Sequence, residues 1–205
     1  MKMYSSIKRL IDIVLALLLF PVLSFFALIV GISIKLEDNG PIFYYSKRLG
    51  MNGNIFKIIK FRSMIVNAQD IRNEDGSTFS SKDDARVTRI GKFIRSSSID
   101  ELPQIINVLK GDMSFVGPRP DLPEALEVYT GTQAKKLDVR PGITGLSQAF
   151  FRNSINQNEK FDNDAYYVEN MSFCMDAKIA FVTLKNVFLR KNIYATGEDA
   201  EETGR

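Results

Sequence analysis

The sequence predicts a mainly helical α+β fold in which a small polar domain is carried by an N-terminal membrane segment. Three observations lead there. Ile13 to Ile34 is an uncharged run of 22 residues, IVLALLLFPVLSFFALIVGISI, which at about 1.5 Å per residue reaches across a bilayer when helical. Two runs rich in β-branched and aromatic residues, Pro41 to Tyr45 and Ile55 to Phe61, flank the turn dipeptide Asn52-Gly53 and read as a hairpin. Helical patterns with recognisable ends then follow one another as far as Lys191. At 205 residues, 45% hydrophobic and 25% charged, the chain has the length and balance of one sizeable globular domain.

The apolar run is too long for the h-region of a signal peptide, and no small-x-small cleavage site precedes Lys35. Lys2, Lys8 and Arg9 lie before it, and Lys35, Lys47, Arg48, Lys57, Lys60 and Arg62 after it, so both flanks read as cytoplasmic. Pro21, near the centre, removes a backbone donor, and Ser24 is placed to take up a freed carbonyl. A kinked span and a hairpin that turns back to its own side fit this pattern equally. Asp12 beside Arg9 reads as an interfacial ion pair.

Residues 41 to 64 carry five cations and no acid, a charge of +5 suited to anionic headgroups or diphosphates, although a solvated basic face is the plainer reading for any one of them. Residues 69 to 86 are polar with mixed charge and read as a long loop. A short helix from Lys92 to Ser96 presents Arg95. A longer one runs from about Ser98, or from Pro103, to Lys110 and stops at Gly111. Met113 to Val116 reads as a strand leading into Gly117-Pro118-Arg119-Pro120, where two prolines fix the backbone around an arginine suited to bidentate phosphate contact. Leu122 to Leu137 reads as a helix and Asp138 to Gly145 as a glycine-punctuated loop bearing Arg140. Met175 to Lys191 has the composition of a basic amphipathic helix, for the core or for a membrane surface. Residues 196 to 205 hold four acids against Arg205 and read as a disordered tail.

The chain has no histidine and one cysteine, Cys174, which excludes a histidine base, a Ser-His-Asp triad, a Cys-His pair and a His/Cys zinc site. Chemistry here falls to carboxylates, Lys, Arg or Tyr. Asp100-Glu101 stands out, because adjacent carboxylates at a helix start, shortly before Arg119, point to phosphate chemistry. The plain alternative is a capping box, Ser98 with Glu101, and taken alone it is the better one. No Walker loop, dinucleotide fingerprint, internal repeat or nucleic-acid module is present.

The ordered set KFRSM (Lys60 to Met64), IRSSSIDELPQIINVLKGDMSFVGPRP (Ile94 to Pro120), DVRPGITGLSQ (Asp138 to Gln148), Arg152-Asn153 and FDNDAYYVENMSF (Phe161 to Phe173) resembles the bacterial sugar transferases, the monotopic polyprenyl-phosphate phosphoglycosyl transferases. The resemblance runs from Lys8-Arg9 and Asp12 to the last helix and displaces the capping reading. It implies a re-entrant helix-break-helix over residues 1–36 with its break at Pro21, a cytosolic catalytic domain over 37–195, and a position on the cytoplasmic face of the bacterial inner membrane among phospholipids. The chain's size suggests the minimal catalytic form. The implied reaction moves a sugar phosphate from a UDP-sugar to polyprenyl phosphate with Mg2+, giving UMP, and feeds downstream glycosyltransferases of glycoconjugate assembly. Asp100 matches the nucleophile and Glu101 its partner, both also expected at the Mg2+. Arg95, Arg119 and Arg152 match phosphate-holding positions, with Lys60, Arg62, Arg140 and Asp164 beside them. Phe20 stands before Pro21 where the family often has Ser, and Phe150-Phe151 precede Arg152 where glycine is common, which bears on the sugar or uridine pocket. The rival expectation is a non-catalytic membrane-surface protein that holds anionic lipid or a partner enzyme.

Overall fold

The computed structural model describes residues 2–71, 81, 84–151 and 154–189; the expected tail at 196–205 and the Arg190-Lys191 end of the last helix lie outside them. The fold is α+β and mainly helical. Helix α1, Lys2–Asp38, is one continuous helix of 37 residues with Pro21 inside it, so the break expected at Pro21 does not divide it into two helices. Ser24 does not reach the Leu17 carbonyl that Pro21 leaves without a donor; its hydroxyl bonds back to the Phe20 carbonyl at 3.0 Å, as serine does when it stays helical.

Both ends of α1 are tied to the same domain. Near the N-terminus Lys8 pairs with Asp176 at 2.6 Å, Tyr4 donates to the same carboxylate, and Arg9 caps the end of a later helix through the Val108 and Leu109 carbonyls. Asp12 is buried and accepts from the backbone N–H of Phe115 at 3.1 Å. Arg9 and Asp12 therefore each hold the domain's backbone, and the expected interfacial pair is replaced by two docking contacts. At the far end Glu37 accepts from the N–H groups of Arg89 and Ile90, and Asp38 pairs with Arg62. Between these ends Ala16, Leu23, Val30 and Ile34 are buried along one stripe, whereas Leu17 to Val22, around Pro21, are exposed on every side.

Strands β1, Phe43–Leu49, and β2, Ile55–Phe61, form an antiparallel hairpin in the register Phe43 to Phe61. Its turn uses Asn52 and Gly53, both at positive φ, as Asn-Gly hairpins require. Helix α2, Arg89–Ser96, is capped by Thr88. Helix α3, Gln104–Lys110, starts after Pro103 and ends on Gly111 at φ 90°. Asn107 lies against the free edge of β2, where its side chain accepts from Ile59 N–H at 3.0 Å and donates to the Lys57 carbonyl at 2.8 Å. One side-chain amide thus completes the ladder of an edge strand.

β3, Ser114–Val116, pairs in parallel with β4, Gly142–Thr144, inside the segment expected as a loop. Gly142 permits this, since a Cβ there would stand 2.2 Å from Gly117 N. The expected helix from Leu122 to Leu137 is instead two 3-10 segments, Pro123–Glu127 and Gln133–Asp138. The run Val128-Tyr129-Thr130-Gly131-Thr132 between them is poor in helix formers, and Gly131 sits at φ 53°. Helices α4, Leu146–Phe150, α5, Gln157–Glu169, and α6, Phe173–Leu189, are the last elements among the described residues, α5 opening on a capping box made by Asn156 and Glu159.

Two apolar cores result. One joins Ala16, Leu23, Val30 and Ile34 of α1 to Ile58, Phe61, Ile105, Val108 and Met113; the other gathers Val116, Ala149, Tyr167, Val168 and Ile179. α6 divides its faces as an amphipathic helix does, with Ile179 buried and Phe173, Phe181 and Leu184 exposed.

Candidate active site

Asp100 and Glu101 lie in a 3-10 turn, Ile99–Glu101, between α2 and α3 rather than in the first turn of an α-helix. Ser98 before it has φ 57° and no side-chain capping bond, so the capping box is not formed. The Glu101 side chain goes elsewhere, to Lys60 Nζ on β2 at 2.6 Å. Lys60 is aimed there because Asn107 locks β2 against α3. Both carboxylates are half-buried, and Glu101 lines a cleft together with Arg48, Lys60, Gln104, Arg119 and Gly142.

The two acids are driven apart in acidity. Burial pushes the Asp100 carboxyl up to about 6; the charges of Lys60 and Arg95 oppose the rise and that of Glu101 adds to it. Glu101 also loses solvation, but Lys60, Arg119 and the Gln104 amide outweigh that and hold it below the usual range. At neutral pH the site therefore offers one stabilised carboxylate and one destabilised, more nucleophilic one. Arg119 projects from the Gly117 to Pro120 turn as an exposed guanidinium beside Glu101, and Arg95 faces Asp100 from the last turn of α2.

The structure thus brings Lys60, Arg95, Asp100, Glu101 and Arg119 together. Three other expected residues sit elsewhere. Arg62 is buried, with its guanidinium on Asp38 and its Nε on the Pro41 carbonyl at 2.7 Å, where it secures the end of α1. Arg140 donates to the Gly111 carbonyl at 2.9 Å and lines a separate groove with Lys8, Arg9 and Asp12. Asp164 is almost wholly buried and pairs with Lys136 at 2.7 Å. Arg152 lies outside the described residues. Gln104, Asp121 and Lys136 were not anticipated; Gln104 followed the dyad in sequence and could have been suspected, whereas Lys136 gave no local signal.

The family model for bacterial sugar transferases matches residues 3–190. The chain belongs to this family. Among relatives of this sugar transferase, the uncharacterized sugar transferase EpsL of Bacillus subtilis is 40% identical over 196 residues, covering 96% of this chain and 94% of that protein. The undecaprenyl-phosphate galactose phosphotransferase of Salmonella typhimurium is 38% identical over 199 residues, 92% of this chain and 42% of that protein. The UDP-glucose:undecaprenyl-phosphate glucose-1-phosphate transferase of Klebsiella pneumoniae is 40% identical over 195 residues, 91% of this chain and 41% of that protein. This sugar transferase therefore spans nearly all of one relative and less than half the length of the other two.

Proposed function

We propose that this chain transfers a sugar 1-phosphate from a UDP-sugar to undecaprenyl phosphate, giving the lipid diphosphate sugar and UMP and starting the assembly of a polysaccharide. The observation that carries this is the charge cluster itself, where a destabilised Asp100 and a stabilised Glu101 stand among Lys60, Arg95 and Arg119. Asp100 attacks the phosphorus bonded to the sugar; the P–O bond to the bridging oxygen breaks, and UMP leaves with that oxygen. An oxygen of the lipid phosphate then attacks the same phosphorus and releases the aspartate. Arg119 and Arg95 hold the phosphoryl oxygens, and Lys60 passes from Glu101 to the incoming diphosphate.

Asp100 and Glu101 also suit Mg2+, which takes one or two carboxylates and completes its shell from substrate phosphates and water. Among the described residues no group of three acidic or sulfur ligands forms a dedicated cage. When bound, the ion offsets charge on the diphosphate and on departing UMP.

A lipid acceptor requires the cleft to lie at the headgroup level. A re-entrant α1 on the cytoplasmic face of the inner membrane is supported by the docking of both helix ends on one domain, the exposed apolar stretch around Pro21, and basic flanks on each side. The exposed Phe173, Phe181 and Leu184 of α6 suit the same interface. UMP release from a panel of UDP-sugars, in detergent with undecaprenyl phosphate and Mg2+, tests the activity and identifies the sugar. No release from any of them sinks the reading in favour of a non-catalytic membrane protein.

A further inference from the structure

Behind the Arg119 turn lies a buried charge cluster for which the reaction has no direct use. Lys136 is 4% exposed, and its Nζ sits between the carboxylates of Asp121 and Asp164, the latter at 2.7 Å. Phe161 presents its ring face 5.0 Å from the same ammonium, and Tyr129 donates its hydroxyl to Asp121 at 2.9 Å. Asp121 is two residues from Arg119, with only the rigid Pro120 between them.

Besides its buried Pro118 and Pro120, the loop that carries Arg119 is held by backbone hydrogen bonds. At its start Gly117 N–H donates to Thr144 and the Pro118 carbonyl accepts from Gly142; at its end the Asp121 carbonyl accepts from Leu49 N–H. The Arg119 backbone N–H lies close enough to the Asp164 carboxylate to favour its ionised form, while Asp164 Oδ1 meets no partner at hydrogen-bonding geometry. Lys136 is therefore the only cation that meets both Asp121, on the loop, and Asp164, on α5, among the described ion pairs. Without it two buried carboxylates would confront each other, and the one on the loop would be the one to move.

We propose that Lys136 is a positioning residue for Arg119: by joining Asp121 to Asp164 it pins the Gly117 to Asp121 loop so that the guanidinium stays beside Glu101. The role assigned to Arg119 rests on the transferase reading above. Lys136 touches neither dyad nor substrate and acts only through the loop.

A mutant cycle with a second, activity-independent measurement tests this. Lys136→Met should lower UMP release about 100-fold in the otherwise natural protein, but less than about 3-fold in an Arg119→Ala background, because the group it positions is already gone. Lys136→Arg, which keeps a cation between the two carboxylates, should recover turnover to within about 10-fold. Hydrogen exchange at the amides of Gly117, Arg119 and Asp121 should be at least about tenfold faster in Lys136→Met, with α1 and α6 unchanged. If Lys136→Met does not fold, Lys136→Met with Asp121→Asn removes one of the two orphaned charges, and with it their repulsion, and carries the same measurements. Equal losses in both backgrounds, or unchanged exchange in the loop, overturn the proposal. A natural protein that releases no UMP sinks the transferase reading instead, while exchange still decides whether Lys136 holds the loop.

Discussion

Asp100 is kept in a place that works against its charge. A carboxyl whose acidity is weakened by burial from 3.8 to about 6 costs folding stability when ionised. That cost is absent below about pH 4, grows between about pH 4 and pH 6, and is complete above it. Asp100→Asn removes it, so in chelator the variant should unfold at a higher temperature than the natural protein at pH 8, with the difference closing by about pH 4. The same variant should form no covalent adduct. Intact-mass measurement after incubation with UDP-sugar alone should show one added sugar phosphate on the natural protein and none on Asp100→Asn. An equal adduct on the variant would remove this aspartate from the mechanism. Arg119→Lys should lose at least about 10-fold in turnover despite keeping its charge, because one ammonium cannot replace a planar fork. Activity within a few-fold would make Arg119 a structural residue.

At the scale of elements, legibility in the sequence followed how local each determinant is. The hairpin was legible because Asn52-Gly53 and two β-rich runs specify it within about twenty residues, and α3 because Gly111 stops it and Pro103 offers a start. The dyad was legible as chemistry, but its turn was not, since the Ser98 conformation and the Lys60 to Glu101 pair depend on a strand some forty residues away. Lys136 was illegible for the same reason, its partners lying 15 and 28 positions off. The misread helix from Leu122 to Leu137 shows apolar spacing overruled by a β-branched and glycine interruption. Asn107 is the test of an element held from outside. Asn107→Ala leaves the Ile59 N–H and the Lys57 carbonyl without partners and should destabilise the fold by about 2 kcal/mol, read as a lower unfolding midpoint. A change too small to detect would mean that β2 does not need this brace.

For the whole molecule, the arrangement of α1 decides where chemistry can occur. A UDP-sugar is an aqueous dianion, and undecaprenyl phosphate keeps its phosphate at the headgroups, so a cleft that uses both must rest on one membrane surface. The contacts of Lys8 and Asp12 at one end of the helix, and of Glu37 and Asp38 at the other, hold both ends on that domain. The exposed apolar stretch from Leu17 to Val22 is what the proposed re-entrant arrangement gives to the bilayer. Single cysteines at Ser5 and at Leu36, both exposed, can be compared in a Cys174→Ser background, because Cys174 is itself exposed. Leu36 is preferable to Asn39, whose φ of 54° suits asparagine better than cysteine. With a membrane-impermeant thiol reagent, both should stay unlabelled in intact spheroplasts and both should react once the membrane is opened. Labelling of Ser5→Cys alone before opening would place the two ends on opposite sides and defeat the re-entrant arrangement; it would also require the docking of Lys8 on Asp176 to come apart in the membrane.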